Sequence, residues 1–131
     1  MSIPVSLEKL RAEAERFGAT PYLLTVGDDG RPHSVSVSAT WEGGALVAKT
    51  GKRTAANASA RKLVSLLWAP REAGGYSLIV DGDASVRGAG DDAHVIVRPT
   101  RGVLHRPAAT PADAPEGCSA DCVPLLRSDL R

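Results

Sequence analysis

The part of this sequence best suited to binding chemistry lies between residues 49 and 57, which read KTGKRTAAN. The alternation of a strand ends there, Gly51 permits a tight turn, and an Ala-rich run typical of a short helix follows. The first turn of a helix presents unpaired backbone N–H groups that favour an anion. Lys52 and Arg53 add positive charge and Thr50 adds a hydroxyl, so the pattern predicts a phosphate-monoester site. The alternative interpretation is a solvated basic turn that caps the helix.

A stripe of hydroxyl groups follows one face of a predicted strand over residues 33–41. Its members alternate with apolar residues and are Ser34, Ser36, Ser38 and Thr40. Small side chains would let a planar ring approach the backbone, so the stripe is a candidate ligand-facing surface. The alternative is the wet face of an antiparallel strand.

Histidines and cysteines add weaker signals. His33, His94 and His105 show no HxxxH or HExxH spacing, so no metal site is predicted. Each could ligate a haem iron, although a lone histidine is more often structural or solvated. Cys118 and Cys122 have the spacing of a metal-capturing or redox pair, and the alternative is two unpaired thiols.

The elements that must position these groups follow from hydrophobic periodicity. Helices are predicted over 6–17 and 54–61, the second with Thr54 as a cap. Strands are predicted at 22–26, 33–41, 45–49, 63–68, 76–80 with a continuation at 84–87, 93–98 and 102–105. A bulge is predicted at 81–83, and a bend at Pro99. Six or seven short strands with hairpin turns favour a closed or partly closed antiparallel barrel.

Length and charge narrow the function classes. The chain has 131 residues, which suits one domain, and its 16 Lys and Arg nearly balance 15 Asp and Glu. No global basic field indicates nucleic acid, no apolar run could span a membrane, and no signal peptide is visible, so a cytoplasmic protein is expected. A Pro- and Ala-rich composition after residue 106 divides the chain into a domain at 1–106 and a tail at 107–131.

The order of these motifs resembles the pyridoxamine 5'-phosphate oxidase-like FMN-binding split-barrel family. Residues 22–37 are similar to its first hairpin, in which a Gly-x-Pro turn precedes a strand that begins with His or Arg, here His33. A strand ending in Thr50, the Lys52-Arg53 pair and Asn57 in the next helix follow in the family's order. Residues 80–84 fit as well, although the family more often has Glu-Gly there, and 88–92 leave only a turn where the family often has a helix.

This resemblance implies a mainly β fold, an antiparallel split β-barrel of six to seven strands with two short helices. It also implies a homodimer with the cofactor between its subunits. Lys52, Arg53 and Thr50 would hold the cofactor phosphate, and Asn57 would organise the helix start. The ring would lie against backbone groups of a strand segment made of Val35, Ser36 and Val37.

The function implied by the resemblance is an oxidoreductase that transfers hydride between its cofactor and a small organic substrate. The resemblance implies FMN or the 8-hydroxy-5-deazaflavin coenzyme as the cofactor, which would carry the hydride chemistry itself. Two alternatives remain open. The same barrel could be a non-catalytic binder of flavin, deazaflavin or haem, or a scaffold without a cofactor.

Overall fold

The computed structural model describes residues 1–108, which contain eight β-strands and two α-helices. In chain order they are β1 (Ser2–Val5), α1 (Leu7–Phe17), β2 (Tyr22–Val26), β3 (Pro32–Ser36), β4 (Ala39–Glu42), β5 (Ala45–Lys49), α2 (Lys52–Ala60), β6 (Leu63–Trp68), β7 (Ser77–Arg87) and β8 (His94–His105). A single 3₁₀ turn at Gly90–Asp92 separates the last two strands.

All strand pairs are antiparallel, in the order β3-β2-β6-β7-β8-β5-β4, and β1 pairs with the last residues of β8. The strands at the two ends of this order, β3 and β4, are joined by only Val37 and Ser38. The sheet therefore curls into a half-barrel. The predicted fold class, a mainly β antiparallel split barrel with two helices, is confirmed.

The prediction of one continuous strand over 33–41 is wrong. The chain leaves β2 after Ser36 and joins β5 from Ala39. Between them, the Val37 amide donates to the carbonyl of Pro21 at 3.0 Å and the Ala39 amide to the carbonyl of Ala19 at 2.8 Å. The alternation of side chains continues through this crossing, which is why periodicity alone predicted one strand.

Helix α2 begins at Lys52, two residues before the predicted start at Thr54. Gly51 occupies the N-cap position, so the predicted cap by Thr54 is wrong, and Lys52 and Arg53 lie inside the first helical turn. The predicted bulge is confirmed by a shift in register between Asp81 and Gly82. The predicted strands 93–98 and 102–105 form one strand, β8, which runs through Pro99. Its pairing with β7 skips Thr100, next to that proline.

The core lies on one face of the curled sheet, under helix α1. A cross-strand row of Leu23, Leu66 and Val80 is at most 1% exposed. Gly102 continues this row, and a Cβ there would lie 2.8 Å from Cδ1 of Leu10, so helix α1 sits directly on β8. The opposite face of β6 stays open, and Leu63 is 76% exposed. The predicted fully buried strand at 63–68 is therefore buried on one face only.

Within residues 1–108, no helix has the length and apolar character needed to cross a membrane. Cys118, Cys122 and all but the first two residues of the predicted tail lie outside the described residues, so the predictions about them remain predictions.

Candidate functional site

A groove of about 520 Å³ separates the β2–β3 turn from the first turns of helix α2. Its walls are Gly27, Asp28, Asp29, Lys52, Arg53, Ala56 and Asn57. The turn is tight because Gly30 adopts a φ of 80° and its amide donates to the carbonyl of Gly27. A side chain at Gly27 would narrow the groove, since its Cβ would lie 3.2 Å from a carboxylate oxygen of Asp29. The groove therefore brings together three of the predicted site residues, Lys52, Arg53 and Asn57.

Helix α2 is fixed to the β2–β3 hairpin by polar contacts. Nδ2 of Asn57 donates to Oγ1 of Thr25 at 3.2 Å, and both residues are buried. Nε2 of His33 lies 3.3 Å from Oγ1 of Thr54. At the far end of the helix, Nε of Arg61 donates to the carbonyl of Val26 at 2.6 Å. These contacts hold the helix start beside the turn, because buried polar groups are stable only when they are paired.

The sequence drew attention to Asn57 but not to its partner Thr25. A lone hydroxyl in the apolar run YLLTV was the available signal, since a buried Thr needs a partner. Asn57 was predicted to organise the helix start, and its side chain donates a hydrogen bond to Thr25 of strand β2.

The two cations of the groove form no ion pair within residues 1–108, although Asp28 and Asp29 line the same groove. Across the described part of the chain, neither Lys52 nor Arg53 takes part in an ion pair, and both are exposed. Asp28 on the opposite wall pairs with Arg61 at 2.6 Å. Asp29 accepts the backbone amide of Arg31 at 3.0 Å. The first turn of α2 carries no acidic residue, so the helix dipole and both side chains favour an anion.

Thr50 lies two residues before the first residue of this helix and is 8% exposed. Its amide donates to the carbonyl of Ala93 at 3.0 Å, but its hydroxyl Oγ1 is buried without a hydrogen-bond partner among the described residues. Thr50 is not among the walls of the groove. An unpaired buried hydroxyl is rare and unfavourable, and a missing ion or ligand is one of its ordinary explanations. The first turn of α2 is therefore the part of the site that fits a bound anion, and the buried Thr50 hydroxyl lies beside it.

Val35, Ser36 and Val37 do not line this groove but follow strand β3 and its exit. The hydrogen bonds of Gly27 to Arg31 and of Val37 to Pro21 fix which residues face β2. Hydrogen-bonded and non-hydrogen-bonded residues alternate along an antiparallel pair of strands. The backbone N–H and C=O groups of His33, Val35 and Val37 therefore point toward β2. Ser34 and Ser36 direct theirs away from it, where β3 has no neighbouring strand among residues 1–108. Only Ser36 of the three predicted ring contacts therefore offers backbone donors and acceptors.

Each histidine contacts another group of the protein. Besides the His33 contact, Nδ1 of His94 lies 2.8 Å from the carbonyl of Asp92, and Nδ1 of His105 lies 3.3 Å from Oγ of Ser2. In the described residues, no three His, Cys, Asp or Glu side chains form a group that could hold a metal ion.

The chain closely resembles two mycobacterial proteins. Uncharacterized protein Mb0449c of Mycobacterium bovis and uncharacterized protein MT0457 of Mycobacterium tuberculosis are each 41% identical to it. Each alignment has 133 positions and covers 91% of this chain and 93% of the relative. The chain belongs to the family of these mycobacterial proteins. No family model matches the chain.

Solved structures with the same fold have different functions. A candidate pyridoxamine 5'-phosphate oxidase from Listeria innocua aligns with a TM-score of 0.62 at 16% identity, covering 75% of this chain and 96% of that one. An F420 reductase aligns with a TM-score of 0.53 at 19% identity over 64% and 88% of the two chains. HutZ, the haem storage protein of Vibrio cholerae, aligns with a TM-score of 0.58 at 16% identity over 76% and 94%. This chain therefore shares the split-barrel fold of the pyridoxamine 5'-phosphate oxidase-like proteins.

Proposed function

We propose that this protein is an oxidoreductase that binds FMN, or alternatively the 8-hydroxy-5-deazaflavin coenzyme F420, with its phosphate at the start of helix α2. The observation that carries the proposal is the pair Lys52 and Arg53 in the first turn of α2, neither of which forms an ion pair within residues 1–108. The pair begins two residues after Thr50, whose buried hydroxyl has no hydrogen-bond partner in the same range. A helix N-terminus and two cations favour a phosphate more strongly than either does alone.

Arg53 can donate two parallel hydrogen bonds to a phosphate, whereas Lys52 acts as a point charge. Both side chains are exposed at the groove, so they can reach a ligand without losing a partner. Asn57 supports them by holding the helix against β2, and it is a positioning residue in this proposal.

The free edge of β3 suits the ring of the cofactor. A flavin or deazaflavin ring has donors and acceptors along its pyrimidine edge, and Ser36 supplies a backbone N–H and C=O that face away from β2. The small Ser34 and Ser36 side chains leave that edge accessible, whereas Val35 packs against the core and Val37 is buried in it. When bound, the cofactor supplies the hydride chemistry, and the protein orients the ring toward a small organic substrate.

A second copy of the chain would complete the site. The open face of the sheet exposes Tyr22 at 48% and Leu63 at 76%, with Leu67 and Ile79 half-buried between the neighbouring strands. Apolar surface in the middle of a sheet is typical of an interface, and a twofold homodimer is the commonest closed arrangement. We therefore propose a homodimer with the cofactor between its subunits, acting in the cytoplasm.

The first test is a pair of fluorescence titrations of the cofactor-free full chain, one with FMN and one with F420. We expect saturable binding of one of them, and we expect the Lys52→Ala/Arg53→Ala variant to bind it at least about 100-fold more weakly, because each charge-assisted contact contributes roughly 1.5–3 kcal/mol. The matched control is Lys9→Ala/Arg98→Ala, which removes two exposed charges elsewhere. Equal affinity of both variants would remove the helix α2 site from the proposal.

A second measurement separates an enzyme from a carrier. The holoprotein with reduced cofactor is mixed with a panel of quinone, nitroaromatic and enone acceptors, and cofactor oxidation is followed by absorbance. We expect faster oxidation than for the free cofactor. Binding without acceleration would indicate a carrier, and a haem spectrum in a protein that binds neither ring would overturn the proposal.

A further inference from the structure

A cavity of about 780 Å³ lies outside the proposed cofactor site. It opens between the end of helix α1, the loop from β6 to β7, and the end of β8. Each of these three elements contributes one arginine to its walls: Arg16, Arg71 and Arg106. We name these walls the arginine cleft.

The arginine cleft and the α2 groove lie at opposite ends of the same strands. Strand β6 starts at Leu63, just after α2, and ends at Trp68, where it pairs with Leu78. Tyr76 of the cleft lies beyond that end. Five residue steps along β6 correspond to about 17 Å. The cleft is therefore a separate site, and its argument does not depend on the cofactor.

The charges of the arginine cleft leave a positive excess. Arg16 pairs with Glu13 at 3.4 Å, and Glu72 is the second acidic residue of the walls. Arg71 donates to the backbone carbonyl of Arg16 and Arg106 lies over a tyrosine ring, so neither guanidinium is neutralised by a carboxylate within the described residues. Three guanidinium groups against two carboxylates favour an anion.

Arg106 is also held in place before any ligand arrives. Its guanidinium carbon stands 4.5 Å from the centre of the Tyr76 ring, a cation–π distance. Its backbone is fixed as well, because its amide donates to the carbonyl of Met1 at 3.1 Å. A pre-oriented guanidinium loses less entropy when it grips a carboxylate or phosphate.

The rest of the cleft wall is apolar and includes Phe17, Tyr76 and Leu104. The cleft volume lies within the range of small-molecule sites, in which a few polar groups orient a mostly apolar ligand. We propose that the arginine cleft binds a small organic anion, with Arg71 and Arg106 on its carboxylate or phosphate and its apolar body against Phe17 and Leu104.

The test is calorimetric titration of the full chain with benzoate, with phenyl phosphate, and with the neutral benzamide. We expect benzoate, phenyl phosphate or both to bind at least about tenfold more tightly than benzamide, which lacks the charge. The anion that binds more tightly shows whether the cleft prefers a carboxylate or a phosphate. Equal binding of benzamide and the anions, or no saturable binding of any probe, would overturn the proposal.

Variants locate the bound anion. Arg71→Gln/Arg106→Gln should weaken binding at least about tenfold, and Arg106→Gln alone is the second variant if the double change prevents folding. Arg87→Gln, an exposed arginine far along β7, should leave binding unchanged. Lys52→Ala/Arg53→Ala should also leave binding of the anionic probes unchanged. The result for the arginine cleft is therefore independent of the result for the cofactor site. Loss of probe binding in that variant, with Arg71→Gln/Arg106→Gln unaffected, would refute the arginine cleft.

Discussion

The hydrogen bond between Asn57 and Thr25 should hold helix α2 and its two cations against the barrel. Both residues are at least nine-tenths buried, and the bond between them measures 3.2 Å. Thr25→Val keeps the shape of the side chain and leaves the Asn57 amide buried without its acceptor. Loss of that partner should lower the free energy of unfolding by about 1–3 kcal/mol.

A double-mutant cycle isolates this bond. Asn57→Ala also destabilises the protein, but adding Thr25→Val to it removes a partner that has already lost its bond. We therefore expect the double variant to lose less stability than the two single losses added together, by about 1 kcal/mol or more. The free energies come from urea unfolding of the four proteins, followed by circular dichroism.

A second cycle provides the control. Ser59 lies exposed on α2 two residues from Asn57, so Thr25→Val and Ser59→Ala should have additive effects. If the Asn57 and Thr25 losses also add within about 0.3–0.5 kcal/mol, the bond does not couple the helix to the hairpin, and this account of the site's support is refuted.

Two further predictions concern the frame of the site. Gly82→Ala should destabilise the protein by about 1–3 kcal/mol, because the new Cβ would lie 2.6 Å from a backbone oxygen of β8. The control is Gly44→Ala, whose Cβ meets nothing within 4 Å and which should leave the melting temperature almost unchanged. Equal melting temperatures would contradict the close approach at the bulge. Arg61→Gln should lower the melting temperature, because it removes the hydrogen bond to the Val26 carbonyl. Asp28→Asn should leave the melting temperature unchanged, since that carboxylate is 95% exposed. A larger drop for Asp28→Asn than for Arg61→Gln would contradict the structural role given to the Arg61 hydrogen bond.

Much of the fold follows from local sequence, because its strands are short and alternate cleanly. Periodicity located β2, β5 and β6 at their observed bounds. It failed at Ser36–Ala39, where the chain passes from one end of the sheet to the other without changing its alternation. It also missed β1, whose four residues include Pro4 and become a strand through pairing with β8. Long-range pairing leaves no local periodicity, so these features needed the folded chain.

The part of the candidate site at the start of helix α2 was predictable, because the positive charges there directly follow a helix-start signal in the sequence. Lys52, Arg53 and Asn57 do meet in one groove, since a helix start fixes its own first turns. The ring-facing residues were only partly predictable, because the direction of backbone groups depends on the register with β2, and that register assigns the free edge to Ser34 and Ser36. The arginine cleft had no sequence signal, because its three arginines are separated by more than thirty residues each.

Strand β8 pairs with β7 along one side and with β5 and then β1 along the other. During synthesis on the ribosome, β1 and β5 are therefore translated well before β8, the strand with which both of them pair. Ser2 pairs with His105, so the pairs between β1 and β8 span most of the described chain. Such distant pairing slows folding and leaves strand edges uncovered in the nascent chain. A truncated translation product that stops before β8 should consequently be a preferred client of chaperones and proteases.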